Sequence, residues 1–282
     1  MNPSHAALKS ANLQDVRQTI RDGRYRGHTA GLCPGRLQAN LVILPEIYAL
    51  DFMRFCQRNP RACPLVGVSD TGSPRIETLG EFDLRTDLPA YNIYRDGALA
   101  DSVTDLRGLW RNDLVAFALG CSFTFETALR EAGIGLWHIE NDRTVPMFRS
   151  TIRARPAGPF AGPMVVSMRT IPAARVPDAR AISARFPHAH GAPVHAGDPA
   201  RIGIADLARP DWGDAAPLPK DHVPVFWACG VTPQAAIAAA RPTLCITHKP
   251  GHMLITDIPD GVEALDILDF DPADTTQQES TA

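Results

Sequence analysis

The residues able to do chemistry fall into four groups. Cys121 and Cys229 each stand just ahead of an expected helix start, in GCSFTFETAL (Gly120 to Leu129) and CGVTPQAAI (Cys229 to Ile237). A helix start presents unpaired N–H groups and partial positive charge, which holds a carboxylate or oxyanion and lowers a thiol pKa. Ser122 and Thr232 are the capping residues at those starts. Both thiols equally fit the commoner role of a buried small hydrophobe.

The second group is PHAHGAPVHAGDP (Pro187 to Pro199), with His188, His190, His195 and Asp198. Imidazole beside carboxylate suits acid–base work, and H-x-H spacing puts alternate rings on one face of an extended segment. The spacing matches no tight zinc signature, so no metal is expected. A solvated Gly/Pro-rich loop is the plain alternative. The third is THKPGHMLITD (Thr247 to Asp257), where His248 ends one apolar strand and His252 opens the next. The intervening K-P-G keeps the two rings close, at a strand end where ligands of open α/β sheets bind. With reference pKa values of about 6.5, one ring can be protonated and one neutral near neutrality. A polar turn with incidental histidines is the alternative. The fourth group is Arg149, Arg153 and Arg169. Arginine grips carboxylates with two parallel bonds, and residues four apart on a strand share a face. A solvated or salt-bridged surface is again the alternative.

The elements that must position these groups follow from periodicity. Asn12 to Arg21 reads as an amphipathic helix closed by Gly23, and NLVILP (Asn40 to Pro45) as a buried strand leading into a helix through Phe55. Cys63 to Val68 is a strand, and Tyr91 to Val103 alternates around Asp96-Gly97 as a hairpin. Asp113 to Gly133 reads as a long helical pattern broken at Gly120-Cys121-Ser122. Leu136 to Glu140, Val145 to Ala154 and Pro163 to Ile171 read as extended, and Ala179 to Phe186 as helical. These last elements suggest a small two-layer α+β unit over 133–189, inserted in a main domain of 1–132 and 190–282. Val223 to Gly230, a helix starting at Thr232-Pro233, and strands Thr243 to His248 and His252 to Ile258 predict a right-handed strand–helix–strand crossover. The tail after about Pro272 is polar and expected to fray.

Bulk properties narrow the function. Net charge is -3, which gives no electrostatic footprint for nucleic acid or anionic membrane. The opening MNPSHAALKSANLQDVRQTIRDG lacks a basic region followed by an apolar run, and no stretch approaches the roughly 18 apolar residues of a membrane helix. Six cysteines without a C-x-x-C pair fit reduced thiols. A cytoplasmic protein is expected.

Several segments together resemble one family. They include LQANLVILP (Leu37 to Pro45), DLVAFALGCSFTFE (Asp113 to Glu126), MVVSMR (Met164 to Arg169), HGAPVHAGDP (His190 to Pro199), PVFWACGVTPQ (Pro224 to Gln234) and ITHKPGHMLITD (Ile246 to Asp257). The chain is similar to the D-glutamate cyclase-like family from about residue 12 to 258. That resemblance implies an α/β fold with a three-layer α/β/α main domain and a smaller two-layer unit. It also implies a hydro-lyase that closes D-glutamate, or a related amino dicarboxylate, to a 5-oxo lactam with loss of water.

The chemistry then needs an anion clamp, an acid, a base and an oxyanion site, and no cofactor. His248, His252, His190, His195, Cys121 and Cys229 are the expected catalytic candidates. Arg149, Arg153, Arg169, Ser122, Thr232 and Asp198 are the expected binding residues. His188 lies outside the matching motif and is set aside. A small amino dicarboxylate is the expected partner, with a homo-oligomer compatible with the sequence. Two other functions stay open: a carboxylate- or lactam-binding protein without turnover, and a thiol-dependent amide hydrolase.

Overall fold

A computed structural model describes residues 2–260, and the polar tail lies outside them. In chain order its elements are α1 (His5–Leu8), α2 (Leu13–Arg21), β1 (Arg36–Pro45), α3 (Glu46–Arg58), β2 (Leu65–Val68), β3 (Tyr91–Arg95) and β4 (Ala98–Val103). There follow β5 (Leu114–Gly120), α4 (Phe123–Glu131), α5 (Trp137–Glu140), β6 (Met147–Arg153), β7 (Pro163–Pro172) and α6 (Val176–Ala184). The last are β8 (His195–Ala196), β9 (His222–Ala228), α7 (Val231–Ala240), β10 (Cys245–His248) and β11 (Leu254–Pro259). The class is α/β, built on antiparallel sheets.

The chain divides into two compact units. Among the described residues, one holds 2–50, 65–120 and 241–260; the other holds 51–64 and 121–240. The second unit is therefore wider than the expected 133–189 insertion. The reason is strand pairing: β9 lies along β7 from Val166↔Ala228 to Pro172↔His222, which draws residues up to α7 into that unit.

The first unit is organised by β1. Its ten residues are flanked by β5 on one edge and by both β10 and β11 on the other. Leu37, Ala39, Leu41 and Ile43 point into one core, with Leu84, Leu106 and Leu114. On the other side Ile255 meets Val16 and Ile20 of α2. Helix α2 begins where expected because the Asn12 side chain accepts the Asp15 N–H at 2.9 Å. The β3–β4 hairpin turns at Asp96 and Gly97, both at positive φ (50° and 81°), as a two-residue type I′ turn requires. Arg17 is interior: it pairs with Asp257 at 2.8 Å and donates to the carbonyls of Glu81 and Ile255.

In the second unit the sheet order is β6-β7-β9-β8. Phe125, Leu129, Ile171, Val225 and Trp227 form the core on one face, and Phe148, Val166, Met168 and Phe226 the core on the other. Each such fully buried side chain contributes about 1.5–3 kcal/mol.

Four expectations are corrected. Leu114–Gly120 is strand, not helix, because β5 is buried on both faces and so shows no alternation. Trp137–Glu140 is a single helical turn rather than extended, with Leu136 alone extended ahead of it. The β9–α7–β10 crossover is absent, since β9 and β10 belong to different sheets. Helix α7 starts at Val231, so Thr232 lies inside it instead of capping it.

Candidate functional site

The second unit buries an ion pair. On β7, Val165, Ser167, Arg169 and Ile171 alternate onto the face that carries α4. On α4, Ser122 and Glu126 are one turn apart and share a side, with the Glu126 N–H on the Ser122 carbonyl at 3.0 Å. The Arg169 guanidinium meets them there. Its Nε donates to Glu126 Oε1 at 3.1 Å, and Nη2 makes a second, shorter bond to the same oxygen. Nη2 also reaches Ser122 Oγ at 3.1 Å, and Nη1 donates to Ser167 Oγ at 2.6 Å. The rings of Phe125 and Trp227 lie 5.2 and 5.3 Å from its central carbon. His138 of α5 places Nε2 at 3.3 Å from Glu126 Oε1. The side chains of Arg169 and Glu126 are only 1% and 3% exposed.

Burial alone would push the Glu126 carboxyl up, but the Arg169 charge, followed by His138, outweighs it and brings the pKa down to about 2. Glu126 is therefore ionised. Arginine has five N–H donors, and four are committed here, so one Nη1–H remains. Arg169 cannot grip a substrate carboxylate with two bonds unless it leaves Glu126. The acceptors are less fully used. Among the described residues, Glu126 Oε2, His138 Nδ1 and His190 Nε2 have no hydrogen-bond partner.

His190 is close enough for Arg169 and Glu126 both to act on its charge. It is 2% exposed, and its Nδ1 lies 2.7 Å from the Arg61 carbonyl. Burial lowers its pKa to about 4, so the ring is neutral near pH 7. Cys229 feels the same two charges, and the Val231 N–H at the start of α7 bonds its sulfur. Burial still pushes this thiol up, against the expectation that a helix start would lower it. Thr232 Oγ1 accepts the Val165 N–H at 3.0 Å and donates to the Val165 carbonyl at 3.2 Å, which ties α7 to β7.

The remaining candidates of this unit stand elsewhere. Arg149 and Arg153 do share the exposed side of β6. Arg149 lies 4.9 Å over Trp212 and 3.8 Å from Asp211. The Asp198 side chain caps the turn after it, accepting the Ala200 N–H, while its backbone carbonyl takes His195 Nε2 at 2.8 Å. Cys121 is half-buried and in no disulfide.

His248 and His252 belong to the first unit. Between Ala39↔Leu254 and Val42↔Thr247, β1 faces the HKPGH loop instead of a strand. There the Leu41 N–H donates to His248 Nδ1 at 3.1 Å, so the imidazole replaces one rung of the ladder. His248 is 3% exposed, and burial lowers its pKa to about 4. His252 sets Nδ1 at 2.9 Å from the Pro250 carbonyl and Nε2 at 3.2 Å from that of Arg26.

The sequence named Arg169 and Ser122 as binding residues from separate groups, Ser122 as a helix cap and Arg169 with Arg149 and Arg153, and Glu126, Ser167 and His138 were passed over. The signals were S-x-x-x-E at the head of a helix and S-x-R along a strand, each of which also reads as ordinary capping or alternation. Among the described residues, no cluster of three His, Cys, Asp or Glu side chains could hold a metal ion. No helix among them is long and apolar enough to cross a membrane.

A family model described as D-glutamate cyclase matches residues 115–257, which span every member of the buried cluster. A Dinoroseobacter shibae protein named "Putative hydro-lyase" is 68% identical over 260 residues, 92% of this chain and 87% of the relative. A similarly named Ruegeria pomeroyi protein is 63% identical, covering 93% of this chain and 96% of its own. One from Jannaschia is 60% identical, covering 90% and 96%. The chain belongs to the D-glutamate cyclase family and is, by that membership, an enzyme of the lyase class.

Proposed function

We propose that this enzyme closes D-glutamate, or a closely related amino dicarboxylate, to a 5-oxo lactam with loss of water. Family membership across residues 115–257, the stretch that contains the whole buried cluster, carries this reading. In the reaction the amine nitrogen bonds the γ-carboxyl carbon, and one carboxyl oxygen leaves as water with two N–H protons. Five-ring closure brings nitrogen and carbon together, and well-oriented intramolecular reactions draw about 7–11 kcal/mol from such proximity. The enzyme then has to fold the chain, move protons and stabilise one oxyanion.

Ser122 suits the last task. Its oxygen accepts from Arg169, and that same Oγ lies 3.5 Å from Glu126 Oε1, too far for its O–H to make a firm bond there. It can therefore donate to a developing oxyanion, next to the one remaining Nη1–H of Arg169. These are single donors, matched to one oxygen rather than to a bidentate carboxylate. The exposed pair Arg149 and Arg153 is the candidate for the α-carboxylate, which does not react. A purified sample incubated with D- and L-amino dicarboxylates and read by mass spectrometry tests the reading. A product lighter than its substrate by one water is the expected result. A thermal shift without any product would point to a binding protein instead.

A further inference from the structure

We propose that His190 is the seat and proton acceptor of the substrate's ammonium group, with the second oxygen of Glu126 as its counter-charge. The inference rests on the lactam-forming reading for the substrate, but its geometry stands on its own. The Nδ1–H of His190 donates to the Arg61 carbonyl at 2.7 Å, which fixes the tautomer and leaves the lone pair on Nε2. That atom has no hydrogen-bond partner among the described residues, although the side chain is almost wholly buried. Among the described residues, the buried polar side-chain atoms without a partner are Arg17 Nε and Gln38 Oε1; Nε2 is not one of them, so it is open to a ligand or water rather than sealed in the core.

The backbone makes the same point. His190 sits at φ 75°, in the left-handed region, with Gly191 behind it at φ 62°. For an L-residue this conformation costs roughly 1–2 kcal/mol, and Gly or Asn would relieve it. The turn is closed by the Gly191 N–H on the Phe186 carbonyl, a bond that needs no imidazole. Strained, buried polar residues of this kind cluster at functional sites.

Polarity then selects the ligand group. His190 Nε2 and Glu126 Oε2 are acceptors, and against them stands a single spare N–H of Arg169. An ammonium group, with three donors, complements those acceptors; its charge meets Glu126 but also the Arg169 guanidinium, which opposes positive charge at His190. A carboxylate does not complement those acceptors. In the step itself, Nε2 takes one proton from the ammonium and becomes imidazolium. The freed amine pair bonds the γ-carboxyl carbon, and the C=O pair moves onto oxygen. The imidazolium returns its proton to a carboxyl oxygen. That oxygen leaves with a second N–H proton as water, and His190 ends neutral.

The test is nitrogen-15 NMR of the full chain labelled at histidine, with His190 assigned by the His190→Asn variant, which tolerates the left-handed backbone. At pH 7 we expect Nδ1 protonated and Nε2 bare. D-Glutamate should move Nε2 toward the protonated position. His190→Asn should keep the fold and lose about 10²–10⁴-fold in turnover. His190→Gly should recover part of that loss when imidazole is added. Ethylamine, which has no carboxylate, is titrated alongside. If ethylamine moves Nε2 but no dicarboxylate is turned over, the ammonium seat stands and the proposed substrate fails. A proton on Nε2 in the unliganded protein overturns the proposal. So does a His190 signal unmoved while D-glutamate saturates backbone amide shifts, or normal turnover by His190→Asn.

Discussion

Glu126→Gln removes one negative charge from a site that is 3% exposed and leaves the Arg169 guanidinium without a counter-ion. The amide oxygen can still accept from Arg169, so the change isolates charge from shape. The Glu126 pKa of about 2, against an ordinary 4.5, is a depressed carboxylate. Its stabilisation is therefore present above the unfolded value near 4.5 and is lost as pH falls toward 2. A shift of that size corresponds to about 3 kcal/mol. Removing one member of a buried pair typically costs about 3–5 kcal/mol. The two routes agree, so Glu126→Gln should lower unfolding free energy at pH 7 by about 3–5 kcal/mol. The assay is urea unfolding followed by tryptophan fluorescence, since Trp227 packs against Arg169. Arg169→Met and the double variant complete a cycle, in which the double should cost well under the sum of the singles. The gap between wild type and Glu126→Gln should also shrink as pH drops through the carboxylate range. A single variant within about 0.5 kcal/mol of wild type, the usual range for inconsequential surface changes, would refute the buried-pair account, as would an additive cycle.

Acid sensitivity should begin earlier, through histidines. His190 and His248 have folded pKa values of about 4 against 6.5, so the unfolded chain takes up their protons first and stability falls from pH 6.5 toward 4. His248→Gln, whose amide oxygen can still accept the Leu41 N–H, should flatten that slope by about one proton in urea midpoints measured across the window. Gly80→Ala should lower the melting temperature sharply: Gly80 lies at φ 120°, and a Cβ there would overlap the Asp257 carboxylate that Arg17 holds. Cys229→Ala should retain turnover within about threefold, because burial holds that thiol protonated and ring closure needs no nucleophilic sulfur. A thioester trapped on Cys229 would reverse that conclusion.

Much of the architecture was legible because local chemistry decides it. Asn12 and Asp15 announce the start of α2, and Asp96-Gly97 announces the hairpin, since few residues accept consecutive positive φ angles. What local pattern could not supply was partnership across the sheets. The apolar run of β5 looks helical because burial on both faces erases the period of two. The β9–α7–β10 string looks like a parallel crossover because sequence does not say that its strands join different sheets. The site divides in the same way. Arg169 was visible as a carboxylate-binding arginine and Ser122 as a cap at a helix start. Glu126, lying 43 residues before Arg169, was hidden because an acidic side chain in a first helical turn is usually explained by the helix dipole. His248 was visible as an imidazole at a strand end, but its place as a rung on β1 depends on β10 and β11 both pairing with that strand.

The most direct test of the central claim is proton NMR of the purified protein with D-glutamate. The account predicts 5-oxo-D-proline forming at a rate proportional to enzyme concentration, faster than the corresponding product from L-glutamate. No product above the uncatalysed rate, from D-glutamate or any related amino dicarboxylate, would contradict it.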